Sequence, residues 1–122
     1  MTPGKGSASV SDASSSGYLR DTLGLLILRA LADEPRHGYA IMRWLESTSA
    51  EALRIDEGAL YPALHRLEDR GWVRSEWGLS ESNRRARYYR LTRAGRTRLR
   101  RELDRWRQHA RAVERVLGAE DA

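Results

Sequence analysis

Arginine supplies nearly all the positive charge of this 122-residue sequence, and the arginines are unevenly distributed along the chain. Nine arginines and no acidic residue lie between Arg84 and Arg101. The whole chain has a formal net charge of +5, so the remaining residues sum to −4 once these nine charges are subtracted. A local positive patch favours a polyanion partner, for which nucleic acid is the usual case, although a solvated arginine-rich face is an open alternative.

The groups that could carry out catalysis or bind a metal are few and dispersed. The three histidines, His37, His65 and His109, fall on different predicted elements, and the chain has no cysteine. Catalysis requires titratable groups that converge in a pocket, and metal sites require ligands at characteristic spacings; neither pattern occurs. We therefore expect a protein that is not an enzyme, with no catalytic residue, no bound metal and no cofactor.

Composition also bears on where the protein acts. No stretch approaches the roughly 18 consecutive apolar residues of a membrane span. Residues 1–17 have no apolar run and so do not resemble a signal peptide. The lack of cysteine is typical of a reducing compartment. We expect a cytoplasmic protein that has no membrane partner.

The spacing of apolar residues predicts three short helices in the first part of the chain. Residues 1–17 are rich in serine and glycine and are expected to form a disordered tail. Helices are predicted over three ranges, about 18–32, 38–48 and 57–70. Asp56 is the predicted N-cap of the third helix, and Gly71 follows its end. Pro62 lies near the second turn of that helix, so we expect either a distorted first turn or a later start.

A β-hairpin and a long helix complete the predicted elements. Residues 72–77 and 86–91 are rich in β-formers and flank a turn-rich loop over 78–85. Thr92 then caps a helix to about Leu117, whose apolar residues recur in alternating steps of four and three. Such a seam packs against another helix. The predicted seam residues are Leu99, Leu103, Trp106, Ala110, Val113 and Leu117.

The seam favours a homodimer, because the chain contains no other long helix. Docking on the chain's own first helix is the alternative, and both arrangements can hold together. The predicted fold is α+β, mainly helical: a winged helix-turn-helix over 18–91, a C-terminal dimerisation helix over 92–117 and a short tail over 118–122. In this fold the third helix can enter the major groove of double-stranded DNA, and the hairpin loop, or wing, can reach the backbone or minor groove.

Candidate DNA-binding residues lie on three predicted elements. On the outward face of the third helix they are Tyr61, Pro62, His65 and Arg66, and in the wing they are Asn83, Arg84, Arg85 and Arg87. His37 and Tyr39 begin the second helix, where a helix N-terminus favours phosphate. The alternative is that His37 caps a turn and Tyr39 packs into the core. Glu68 and Asp69, near the end of the third helix, are expected to be structural.

Four sequence blocks occur in order along the chain. They are HGYAI over 37–41, EGALYPALHRLE over 57–68, GWV over 71–73 and RARYYRLTRAG over 85–95. By these blocks the chain resembles the PadR family of bacterial transcriptional regulators, in particular its small subgroup with a single helix after the wing. The resemblance implies a dimeric, repressor-type protein that binds a pseudo-palindromic operator. The arginine-rich segment Arg93–Arg101 departs from the family pattern and would extend the basic surface.

The resemblance also implies that some members hold an effector pocket between the winged domain and the last helices. Trp106 lies where an aromatic side chain can line such a pocket, but it is equally a seam residue. Phenolic acids and planar drugs are effectors in the family, so a small aromatic effector is one expectation and a regulator without an effector is the alternative. A winged helix that contacts protein or RNA instead of an operator is a further alternative.

Overall fold

The computed structural model describes residues 13–118, and the rest of both predicted tails lies outside the described residues. The first helix, α1, spans Ala13–Ala30 and so begins before Tyr18, its predicted start. Residues 13–17 are helical, which corrects the expectation of disorder there. Apolar periodicity marks only the turns that pack, so it does not locate the first turns of this helix, which contain no proline that would interrupt it.

The next two helices form the predicted helix-turn-helix. α2 spans Gly38–Thr48 and α3 spans Glu57–Asp69. The Asp56 carboxylate accepts a hydrogen bond from the backbone N–H of Ala59 at 3.0 Å, which confirms the predicted N-cap. Gly71 has a φ of 78°, the left-handed conformation expected just after a helix.

Pro62 lies inside α3, which begins at Glu57. The prediction of a later start is therefore wrong. A proline here removes only the hydrogen bond to the carbonyl of Gly58, an exposed residue whose oxygen water can reach. The helix continues past Pro62 to Asp69.

A three-stranded antiparallel sheet carries the wing. β1 spans Arg36–His37, β2 spans Val73–Leu79 and β3 spans Arg85–Leu91, in the spatial order β1-β3-β2. β1 is not predicted by the sequence, because two residues are too few to show alternation. The predicted loop over 78–85 was too long, since the paired strands leave only residues 80–84 in the turn.

The buried core lies between the three short helices and the base of the hairpin. Seven of its side chains are fully buried: Ile27, Leu28, Leu31, Ile41, Leu60, Leu64 and Val73. Burying each one contributes roughly 1.5–3 kcal/mol. This core holds α3 and the hairpin in one orientation relative to each other.

The last helix, α4, spans Arg93–Gly118 and is about 39 Å long. Thr92 is its N-cap, as predicted: its hydroxyl accepts from the N–H of Gly95 at 3.0 Å and donates to the carbonyl of Gly71 at 2.6 Å. A Cβ at Gly95 would collide with the carbonyl of Trp72, so glycine allows α4 to start against the hairpin. None of the described helices is long and apolar enough to cross a membrane.

Candidate nucleic-acid interface

The exposed face of α3 carries three of the predicted DNA-binding residues. Pro62, His65 and Arg66 are all exposed. Among the described residues, neither His65 nor Arg66 has a side-chain hydrogen bond or ion pair. Their donors are therefore available to a ligand in front of the helix, and Arg66 has the five N–H groups that suit guanine or phosphate.

Tyr61 does not share this exposed face. Its ring is partly buried and packs against the core, next to the first turn of α2. A Cβ at Gly38 would collide with the Tyr61 ring and hydroxyl. Burial raises the pKa of Tyr61, and the nearby Glu57 carboxylate raises it further. The prediction that Tyr61 points outward is wrong, because the side of α3 that carries it is covered by α2.

Glu68 ties the end of α3 to the hairpin. Its carboxylate accepts a hydrogen bond from the Ser75 hydroxyl at 2.7 Å and lies 3.8 Å from the Arg87 guanidinium. Arg87 also donates to the Ser75 hydroxyl at 2.9 Å. Arg87, a predicted wing contact, is thus held back against α3, and Glu68 has the structural position expected of it.

One face of the wing combines aromatic and cationic side chains. The strand register pairs Trp77 with Arg87 and Leu79 with Arg85, on the same face as the buried Val73. The Arg85 guanidinium lies 4.6 Å from the centre of the Trp77 ring, and that of Arg87 lies 5.8 Å from it. Trp77 and Leu79 are nevertheless 58% and 63% exposed. From the sequence, Trp77 was predicted only to be part of a strand.

The tip of the wing presents the other two predicted wing residues. Asn83 adopts a left-handed φ of 64° in the turn, a conformation that asparagine tolerates. Arg84 is exposed, and its side chain contacts no other described residue through a hydrogen bond or ion pair. Arg84 is therefore the wing arginine least restrained by the body.

At the start of α2, His37 acts as a cap, whereas Tyr39 is exposed as a DNA contact would be. His37 caps the helix, because its Nδ1 accepts from the N–H of Ala40 at 3.1 Å, and its ring meets Tyr88 edge to face. Tyr39 does not pack into the core but is 59% exposed. The Arg43 guanidinium lies over the Tyr39 ring and donates to its hydroxyl at 3.1 Å. The sequence analysis missed Arg43, which one helical turn brings beside Tyr39.

A cavity of about 550 Å³ lies between α1, α3 and α4. Trp106 lines it, as do Arg66 and Arg70 from α3. On its α4 side, the carboxylate of Glu102 lies 2.7 Å from Arg98 and 3.6 Å from Arg105. The cavity lining therefore combines aromatic, cationic and apolar side chains, and Arg66 belongs both to this lining and to the exposed face of α3.

The six seam residues divide into two groups along α4. Leu99 packs against the core of its own chain, and α1 covers the first half of the helix. Leu103, Trp106 and Ala110 are half-buried. Farther along, Val113 and Leu117 are exposed, the latter at 61%. Among the described residues, docking on α1 thus leaves Val113 and Leu117 at the end of the seam exposed.

Comparisons with known proteins agree with this architecture. A sequence model of the transcriptional regulator PadR-like family matches residues 27–101, which include α2, α3 and the whole wing. A transcriptional regulator of Mycobacterium tuberculosis is 40% identical over 83 residues, covering 67% of this chain and 73% of that protein. An uncharacterized transposon protein of Streptomyces fradiae is 46% identical over 78 residues, or 64% of this chain, but the match spans only 21% of that protein.

A solved structure supports the same relationship. The crystal structure of a PadR family transcriptional regulator from Eggerthella lenta superposes on this chain with a TM-score of 0.69, and the two sequences are 34% identical. The superposition covers 88% of this chain and 91% of that chain. The matches in sequence and fold cover the same helices and wing that were described above. The chain belongs to the PadR-like family of transcriptional regulators.

Proposed function

We propose that this protein is a homodimeric repressor that binds a pseudo-palindromic DNA operator. The observation that carries the proposal is the pair of exposed side chains His65 and Arg66 on α3, beside a cationic wing, which have no hydrogen-bond or ion-pair partner among the described residues. A helix of this kind fits the major groove, where base edges present distinct donor and acceptor patterns. Arg66 reads a base, and His65 contacts a base or a phosphate.

The wing and the start of α2 hold the DNA backbone on either side of α3. Arg84 and Asn83 contact phosphates from the tip, where no described residue competes for the Arg84 guanidinium. Trp77 and Arg85 form a stacked pair that packs against sugar and phosphate. At the other side, exposed Tyr39 joins the α2 N-terminus as a phosphate contact.

A second copy of the chain covers the far half of α4. Val116 and Leu117 are 77% and 61% exposed, and Val113 lies on the same part of the helix. Apolar residues at heptad spacing bury themselves against an equivalent helix. The resulting dimer presents two copies of α3 to one side of the duplex. Half-sites then lie about one helical turn apart, roughly 34–36 Å.

A small-molecule effector that enters the 550 Å³ cavity would act on α3 directly. Support comes from Arg66, which lies both on the exposed face and in the cavity wall. Trp106 offers an aromatic surface in the same wall. Binding there would draw Arg66 away from the DNA and release the operator.

The proposal can be tested without knowing the operator sequence. The purified full chain is used to select the duplexes that it binds from a random pool. We expect enrichment of two inverted half-sites with centres about 10 base pairs apart. Fluorescence anisotropy titrations then compare the affinity of the protein for the selected duplex, for a scrambled duplex and for an RNA of the same sequence. A failure to enrich any duplex, or tighter binding to the RNA, would overturn operator recognition. Enrichment of one undivided site would overturn the dimeric mode.

A further inference from the structure

Four arginines surround a concavity on the outer face of the hairpin, the face opposite Val73. The concavity has a volume of about 390 Å³, within the rough range of small-molecule sites. Its walls are the end of α1, the base of the hairpin and the start of α4. The arginines are Arg74, Arg90, Arg93 and Arg96. Leu31 and Leu91, both buried, also line it.

Two of these arginines oppose each other directly across the sheet. The register pairs Arg74 of β2 with Arg90 of β3, so their side chains leave the same face as nearest cross-strand neighbours. Like charges in this arrangement repel and destabilise a strand pair. An anion between the two guanidinium groups would turn this repulsion into attraction.

The four arginines outnumber the three acids near the concavity, Asp33, Glu34 and Glu76. Asp33 and Glu34 line the rim, but Asp33 pairs with Arg29 and Glu34 pairs with Arg36. Glu76, on the same face of β2 as Arg74, makes no ion pair within the described part of the chain. The acids on the rim are therefore engaged with arginines that lie outside the cluster.

The α4 arginines are oriented by the start of their helix. Arg96 donates to the carbonyl of Ala32 at 3.3 Å, which holds it beside the end of α1 and leaves its other N–H groups available. Arg93 is exposed in the first turn, where the helix dipole adds positive potential.

The cluster lies apart from the DNA-binding surface proposed above. Arg74 and Leu79 are five residues apart on β2, which corresponds to about 17 Å along the strand. Arg74 and Arg90 also leave the sheet on the face opposite that of Trp77. A duplex held by α3 and the wing tip therefore does not need these four arginines.

We propose that the concavity binds the adjacent phosphates of a small diphosphate-bearing molecule. Arginine forms paired hydrogen bonds with phosphate oxygens, and four guanidinium groups match the several charges of a diphosphate. The recessed shape favours a compact anion over the continuous backbone of a duplex. The site is separate from operator binding and does not depend on it.

Isothermal titration calorimetry of inorganic pyrophosphate into the full chain, at low and constant ionic strength, tests the site. We expect binding to the wild type and a loss of about tenfold or more in affinity for Arg74→Gln plus Arg90→Gln. The matched control, Arg84→Gln plus Arg85→Gln, removes the same charge from the wing and should retain wild-type affinity. No binding to the wild type, or an equal loss in both double variants, would overturn the proposal.

Two further measurements separate a diphosphate site from a disturbed hairpin and from a contact with the DNA backbone. Arg93→Gln changes one exposed side chain without altering the strands, and it should also weaken pyrophosphate binding; unchanged affinity would count against the cluster. Both double variants are then titrated with duplex DNA. Loss of DNA affinity in the hairpin-base variant equal to that in the wing variant would assign these arginines to the DNA backbone and overturn the diphosphate site. Because calorimetry uses no DNA, its result stands even if operator recognition fails.

Discussion

The Tyr61 side chain of α3 occupies the space into which a Cβ at Gly38 of α2 would point. α3 therefore lies in direct contact with the first turn of α2, and the hydroxyl of Tyr61 lies between the two helices. The contact lies on the side of α3 away from the exposed residues His65 and Arg66. It also explains why residue 38 is glycine although its backbone φ is not in the left-handed region.

Replacing Gly38 by alanine should destabilise the protein by about 1–3 kcal/mol, because the added methyl group overpacks the contact with Tyr61. Urea denaturation followed by circular dichroism measures the change. Gly24→Ala is the matched control, since its Cβ would meet Leu67 at an ordinary distance of 3.8 Å. That variant should be neutral or more stable by about 0.5–1 kcal/mol. Equal effects of the two substitutions would contradict the close approach.

Arg66→Ala should reduce the preference for operator over scrambled DNA by about 1–3 kcal/mol, because a base-reading contact is lost. Arg84→Ala plus Arg85→Ala should instead weaken binding to both duplexes alike. The wing variant should also reduce the slope of log K against log salt by about one for each phosphate contact removed. Anisotropy titrations over a salt series measure both quantities. The reverse pattern would mean that α3 contacts the DNA backbone and that the wing recognises the bases.

Val113→Asp should convert the dimer to a monomer, because a carboxylate would be buried at the proposed helix–helix seam. Val113 is exposed in the single chain, so the fold itself should tolerate the change. Sedimentation velocity gives the mass, and Ala112→Asp supplies the same charge beside the seam. A wild-type mass for Val113→Asp, or an equal loss of dimer in the control, would refute the predicted interface.

Trp77→Ala should weaken binding to every duplex about twofold to fivefold, since an exposed cation–π pair contributes about 0.5–1 kcal/mol. The melting temperature should change little, because the indole is 58% exposed. Trp77→Phe keeps an aromatic face for Arg85, so its DNA affinity should lie between those of the wild type and Trp77→Ala. A large loss of thermal stability with unchanged DNA affinity would show that Trp77 serves only the hairpin.

Local signals in the sequence predicted several elements correctly. α2 has the predicted bounds, and both Asp56 and Thr92 cap helices as expected. A cap requires only a side-chain oxygen and an N–H three residues later, so neighbouring residues suffice to specify it. The motif blocks, which depend on order and spacing alone, likewise led to the family that the comparisons support.

The errors concern features that distant residues decide. Tyr61 was assigned to the outward face of α3, although α2 covers that side of the helix. β1 exists because Arg36 and His37 lie beside β3, far along the chain. Trp77 gained its candidate role only once the arginine across the hairpin, Arg85, was known to lie over its ring.

The sequence by itself determined the helix caps, the heptad spacing of α4 and the concentration of arginine after residue 84, because each is a property of residues close together in the chain. The tertiary structure alone decided which arginines are restrained and which remain available. Arg87 is held by Glu68, Arg84 contacts solvent, and Arg74 is set opposite Arg90. The physical reason is that charge is a property of a residue, whereas its pairing and burial depend on the partners that folding brings beside it.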